Sequence, residues 1–223
     1  MEESTRSFIP AAGRDWLLPL YDPLQWLLGG DALKLPLIEQ AGLEPGQRVL
    51  DIGCGTGSLT LLIKRLHPQV EVVGLDPDPK ALVIAKRKAE RAGLAVELVQ
   101  GFSDPLAYPD ASFDRVFSSL MFHHLKADEK QATLREVGRV LKPGGSLHLL
   151  DFGPPRGGFG QAVAHVLQRV EHARDNLEGR IPLLLGEVGF VRPEEVAHRS
   201  TLVGSLSYYR AFHPGSIALD RRP

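Results

Sequence analysis

Short apolar runs and helical apolar stripes alternate through the middle of this chain. Val49-Leu50 is the first run, and Leu59, Leu62, Ile63 and Leu66 follow at i, i+3, i+4 and i+7, the spacing of one helix face. Val70 to Leu75, rich in β-branched residues, predicts a second strand ending at Asp76. A helix is expected from Pro79 to Ala92, with Ala81, Leu82, Ala85 and Ala89 turned inward. Val96 to Val99 and Arg115 to Ser119 predict the third and fourth strands. A helix carrying Leu134, Val137 and Leu141 on one face then leads to a fifth strand, Ser146 to Asp151. Alternation of this kind implies right-handed parallel crossovers and a doubly wound α/β sheet, with ligands at the C-terminal strand edge.

The flanks read differently. Ahead of Val49 lies a leucine-rich stretch containing Trp16 and Trp26, with no strand pattern and with Pro19, Pro23 and Pro36 expected to divide it into short helices. It predicts a helical cap over residues 1–45. After Phe152 comes GPPRGGFG, then a helical stripe at Val163, Val166, Leu167 and Val170, and another at Ile181, Leu184, Leu185 and Val188. Two strand-like runs close the pattern, Glu195 to Thr201 and Gly204 to Phe212. The main domain is expected over residues 46–213, with a tail at 214–223.

Composition narrows the classes. At 223 residues, 43% hydrophobic and 24% charged, the chain has the balance of one sizeable globular α/β domain. A formal net charge of -1 argues against a dedicated nucleic-acid binder, and the Lys86-Arg87-Lys88 cluster reads as a solvated helix face. Cys54 is the single cysteine, which excludes an internal disulfide and a cysteine zinc cluster. The opening MEESTRSFIP carries acid where a secretory signal carries positive charge, and no apolar run reaches the ~18 residues of a membrane span. A cytoplasmic protein is expected, with contact to a membrane surface left open.

The chemistry concentrates in VLDIGCGTG, Val49 to Gly57. A strand enters Asp51, three glycines alternate at Gly53, Gly55 and Gly57, and a helix opens behind them. Glycines let a ligand approach the backbone, and a helix N-terminus offers free N–H groups. The spacing is GxGxG, not the GxGxxG of dinucleotide sites, so a nicotinamide cofactor is disfavoured. Asp76 stands about twenty residues on, where a carboxylate meets ribose hydroxyls in doubly wound folds.

Together VLDIGCGTG, GLDPDP, PDASFD and LKPGG make the chain resemble the class I S-adenosylmethionine (SAM)-dependent methyltransferases. Within them it is most similar to the small-molecule group that includes the ubiquinone/menaquinone biosynthesis C-methyltransferases. The resemblance spans about residues 20 to 212. It implies a Rossmann-like seven-stranded sheet, mostly parallel with an antiparallel C-terminal hairpin. It also implies SAM as cofactor, with Asp51, Gly53, Gly55 and Thr56 around the methionine part and Asp76 on the ribose. Pro77 would lie against the adenine, and Ser119 at the ligand. The family commonly has an acid and then a small residue after the third strand; here Phe102 and Ser103 stand there. Phe102 can stack on the purine but cannot accept its amino group's hydrogen bond, and Asp104 is an acceptor from a shifted position. Tyr21 in the cap is a further candidate contact to the ligand, or a packing tyrosine.

Methyl transfer from a sulfonium is an in-line displacement, so the protein mainly aligns the reactants and excludes water. A hydroxyl or carbon acceptor calls for a base. His123 and His124 follow the fourth strand and are the candidates; a structural histidine pair is the alternative. Spacing suggests no metal site. The absence of an NPP-type tetrapeptide after the fourth strand disfavours amino acceptors of the adenine and glutamine kind. A small, apolar metabolite is the expected acceptor. A non-catalytic SAM-binding protein is the rival, with Phe102 the one feature pointing to it.

Overall fold

The computed structural model describes residues 30–156, 172–201 and 204–215. Tyr21, both tryptophans, the stripe at Val163 to Val170 and the end of the tail lie outside the described residues. The elements in chain order are α1 (Gly30–Glu39), β1 (Arg48–Ile52), α2 (Ser58–Leu66), β2 (Glu71–Asp76), α3 (Pro79–Ala92), β3 (Glu97–Gln100) and β4 (Phe113–Ser119). A 3₁₀ turn (Phe122–His124) follows, then α4 (Ala127–Val140), β5 (Leu141–Phe152), α5 (Arg174–Leu177), α6 (Ile181–Glu187), β6 (Val191–Thr201) and β7 (Gly204–Phe212).

The strands form a seven-stranded sheet in the order β3-β2-β1-β4-β5-β7-β6. The first five run parallel, and β7 pairs antiparallel with both β5 and β6. This is the expected doubly wound sheet with its antiparallel hairpin. The strand order reverses beside β1, between β2 and β4, which is where such sheets bind ligands.

Each sheet face is covered. On one, Leu134 and Val137 of α4 and Ile181, Leu184 and Leu185 of α6 pack on Leu50, Ile52, Val116 and Leu149. On the other, α1 and α2 cover Val49, Val72, Phe117 and Leu150. Leu37 and Ile38 of α1 are fully buried there, so α1 belongs to this core.

Several expectations shift. Pro36 does not end a helix: α1 runs through it. Pro36 has no N–H to give the Ala32 carbonyl, and the Arg199 guanidinium donates to that carbonyl instead, at 3.3 Å. The neighbouring Leu33 carbonyl receives the Tyr208 hydroxyl at 2.8 Å. Leu66 was expected inside but is 46% exposed, because α2 ends there in its last turn. Leu82 is only half-buried, whereas Ala81, Ala85 and Ala89 do face in. Leu141 leaves the helix and pairs with Phe113 as the first residue of β5. β6 starts four residues earlier than expected, at Val191.

Candidate active site

A cavity of about 430 Å³ opens along the C-terminal ends of β1, β2 and β4 and the segment after β3. That volume lies within the roughly 300–1,000 Å³ of small-molecule sites. One of its walls is largely main chain. The Gly53 and Cys54 amides both donate to the Leu75 carbonyl, at 2.8 and 3.0 Å, which stitches the glycine loop to β2. Gly53 has φ +68°, and a Cβ there would run into the Met121 side chain. Gly57 has φ +78°, and a Cβ there would lie 2.9 Å from that of Ala85; glycine lets α2 start close against α3.

Two carboxylates anchor this wall. Asp76 accepts the Gly55 amide at 2.7 Å on one oxygen and the Asp78 amide at 2.9 Å on the other. It therefore ties the end of β2 to the glycine loop, and each oxygen keeps lone-pair capacity. Burial raises its pKa, against those two hydrogen bonds. Asp51 is almost wholly buried and accepts the Thr60 hydroxyl at 2.6 Å. Burial pushes its carboxyl up to about 7; the Thr60 bond opposes the shift, the charge of Asp76 adds to it, and Lys34 opposes it.

The facing wall is made of side chains. Leu120, Met121, His124 and Leu125 line it from the turn after β4, Lys126 and Glu129 from the start of α4, and His172 from beyond β5. Phe102, Ser103 and Asp104 close the side after β3. The Ser103 hydroxyl bonds to that of Thr133 at 2.7 Å, which pins this segment to α4.

The two histidines part company. His124 lines the cavity. His123 is 4% exposed, points into the protein and bonds through Nδ1 to Asp151 at 2.7 Å. Asp151 is fully buried; it also accepts the Phe152 amide at 2.7 Å and the His123 amide at 3.3 Å. Burial would raise the Asp151 carboxyl, but the charge and hydrogen bond of His123 outweigh it and hold the carboxyl below its usual value. Of the two candidate bases, His123 is not among the residues lining the cavity. Among the described residues no cluster of three or more His, Cys, Asp or Glu side chains could hold a metal ion.

A family model described as a methyltransferase domain matches residues 49–145. The demethylmenaquinone methyltransferase of Deinococcus radiodurans is 39% identical over 171 residues, 74% of this chain and 70% of that protein. The chain belongs to the class I SAM-dependent methyltransferases, in the group of the ubiquinone/menaquinone C-methyltransferases. The demethylmenaquinone methyltransferase of Thermus thermophilus is 40% identical over 158 residues, 69% of this chain and 71% of that one. A crystal structure of a SAM-dependent methyltransferase from Aquifex aeolicus shares the fold, with a TM-score of 0.66 and 21% identity over 88% of this chain and 96% of that one. This methyltransferase is an enzyme that uses SAM and methylates a small molecule.

Of the residues expected from sequence, Asp51, Gly53, Gly55, Thr56, Asp76, Pro77, Phe102, Ser103, Ser119 and His124 all line the one cavity. Phe102 is one of these lining residues, and nothing in the described site favours a non-catalytic binder. Lys88 departs from the solvated face assigned to it and reaches the hydroxyls of Thr56 and Ser58, at 3.5 and 3.4 Å. Sequence reasoning missed Lys34, which is 5% exposed and lines the cavity near Asp51. Its signal was a lone cation among Leu33, Leu35 and Leu37. Asp151 was missed as well: it was read only as the end of a strand. Among the described residues no helix is long and apolar enough to cross a membrane.

Proposed function

We propose that this enzyme transfers the methyl group of SAM to a ring carbon of a reduced, demethylmenaquinone-type quinone. The observation that carries the reading is the cavity itself: it joins a backbone-and-carboxylate wall at the sheet's reversal point to a wall where Leu120, Met121 and Leu125 stand beside His124. Two relatives named demethylmenaquinone methyltransferase support the acceptor class.

The residues fit SAM. Asp51, held near pH 7 by burial, suits an ammonium group, whose charge would favour its ionised form. Gly53, Gly55 and Thr56 would wrap the methionine part. Asp76, with one amide on each oxygen, can still accept a vicinal diol and would hold the ribose. Pro77 and Phe102 would pack on the adenine faces, leaving the backbone beside Ser103 for its edge, since the Ser103 hydroxyl is engaged by Thr133. Ser119 ends β4 beside the reacting centre. SAM supplies an activated methyl group; the protein supplies alignment and a dry site. Residues 1–45 act as the cap in this reading, with Lys34 of α1 already at the cavity wall; Tyr21 lies outside the described residues. The acceptor is a small molecule and not a nucleic acid. The reaction runs in the cytoplasm, against the membrane surface where a prenylated quinone resides.

The test is turnover to S-adenosylhomocysteine with prenylated 1,4-naphthoquinols, their oxidised quinones and a panel of phenols and amines. Turnover confined to the reduced naphthoquinols supports the proposal. Turnover with an amine or an unrelated phenol, and none with the naphthoquinols, contradicts it.

A further inference from the structure

The turn after β4 places three consecutive residues in three environments. A 3₁₀ turn has three residues per turn, so Phe122, His123 and His124 fan out about 120° apart. Phe122 is 1% exposed and sits in the core under α4, with the Lys130 ammonium 5.7 Å from its ring. His123 locks onto Asp151, and its ring lies edge-on to Phe152 with centroids 4.8 Å apart. His124 faces the cavity, with its ring centroid 4.0 Å from that of His123.

A buried carboxylate is costly unless paired. Asp151 spends its capacity on three donors of this one turn and its neighbour: the His123 ring, the His123 amide and the Phe152 amide. The assembly fixes where His124 stands.

Resting on the quinol reading, we infer that His124 is the catalytic base toward the acceptor hydroxyl and that the buried His123–Asp151 pair is its positioning device. A ring nitrogen of His124 takes the hydroxyl proton. The freed electron pair moves into the ring, and the adjacent ring carbon forms the new bond to the methyl carbon. The carbon–sulfur bond breaks with its pair left on sulfur, as a neutral thioether. The hydrogen on the methylated carbon is then lost as a proton while the ring oxygen regains one, which restores the aromatic quinol. The sum releases one proton, and no oxidant or reductant is consumed. The His123 ring and the Asp151 carboxylate compensate each other's charge, so the pair acts on His124 by fixing its place. Other charged or titratable groups face this pair. Lys130 of α4 and Tyr209 of β7 interact with Asp151, while Lys126, Glu129 and His172 line the cavity with His124.

The experiment measures kcat, KM and SAM affinity against pH for wild type, His124→Gln and Asp151→Asn with a prenylated naphthoquinol. His124→Gln should lose about 10²–10⁴-fold in kcat with SAM affinity unchanged. In Asp151→Asn kcat should fall with KM and SAM affinity held, because the His124 ring loses its fixed place. SAM affinity within twofold of wild type shows that each variant has kept its fold. If wild type methylates the quinol and His124→Gln matches its kcat, this inference alone is overturned. A kcat in Asp151→Asn equal to that of wild type overturns the positioning role. If wild type leaves the quinol untouched, the acceptor reading fails and takes the inference with it.

Discussion

The two walls of the cavity are built from different material. The wall at the ends of β1 and β2 is main chain: amides of Gly53, Cys54 and Gly55 fastened to Leu75 and Asp76, with Asp51 and Asp76 as its only acids. The facing wall is side chain, assembled from the turn after β4, the start of α4 and the chain beyond β5. Main chain can present a fixed cradle to a ligand that never changes. Side chains on turns can be exchanged one at a time without disturbing the sheet. A donor common to a family suits the first construction, and an acceptor that differs among its members suits the second.

Asp151 supports the side-chain wall from within the core, and its loss should have the largest effect. Asp151→Ala leaves the His123 ring without its partner and should cost about 3–5 kcal/mol of stability in urea unfolding, the range for breaking a buried pair. The pH sign follows from the depressed carboxyl. Its folded pKa lies below the ordinary 3.8, so the stabilisation is present above that value and is lost as pH falls through the lower folded one. The alanine variant should lack that acid-labile component.

Asp76→Ala tests the other wall. SAM affinity should fall by about 1.5–3 kcal/mol, the scale of hydrogen bonds to a charged group, as read by calorimetry. Turnover at saturating SAM should change far less.

Asp51→Asn sharpens the point at a smaller scale. The folded pKa of Asp51 is raised from 3.8 to about 7, so this group destabilises the ligand-free fold progressively as pH rises between those values. The asparagine variant should therefore melt higher than wild type at pH 8. In wild type, binding the cationic amino group displaces the proton, so SAM affinity should fall about tenfold per pH unit below about 7. In Asp51→Asn that slope should be absent. The smallest effect belongs to Phe102→Ala, which should weaken SAM by about 0.5–1.5 kcal/mol, the worth of an aromatic contact, and leave the pH slope intact.

The backbone wall was legible because it is local. Val49 to Gly57 carries its strand, turn and helix start in nine residues, and Asp76 falls at the next strand end. The facing wall was legible only in part. His123 and His124 are identical neighbours, and only the 120° fan of a 3₁₀ turn sends one to Asp151 and the other to the cavity. Lys34 was hidden because its stretch scans as an apolar helix interrupted at Pro36, and the relief of that interruption comes from Arg199, far along the chain. Leu141 fits a helical stripe equally well, and the pairing with Phe113 decides against it.

The most direct test of the account is the fate of the methyl carbon. The enzyme is given SAM labelled with ¹³C in its methyl group, together with a reduced prenylated naphthoquinone lacking its ring methyl. The product is then examined by NMR. One labelled methyl per ring is expected, bonded to the ring carbon next to a hydroxyl-bearing carbon, with one equivalent of S-adenosylhomocysteine. A label on oxygen, or no label on the ring while another acceptor takes it, would rule out transfer to the quinol ring carbon.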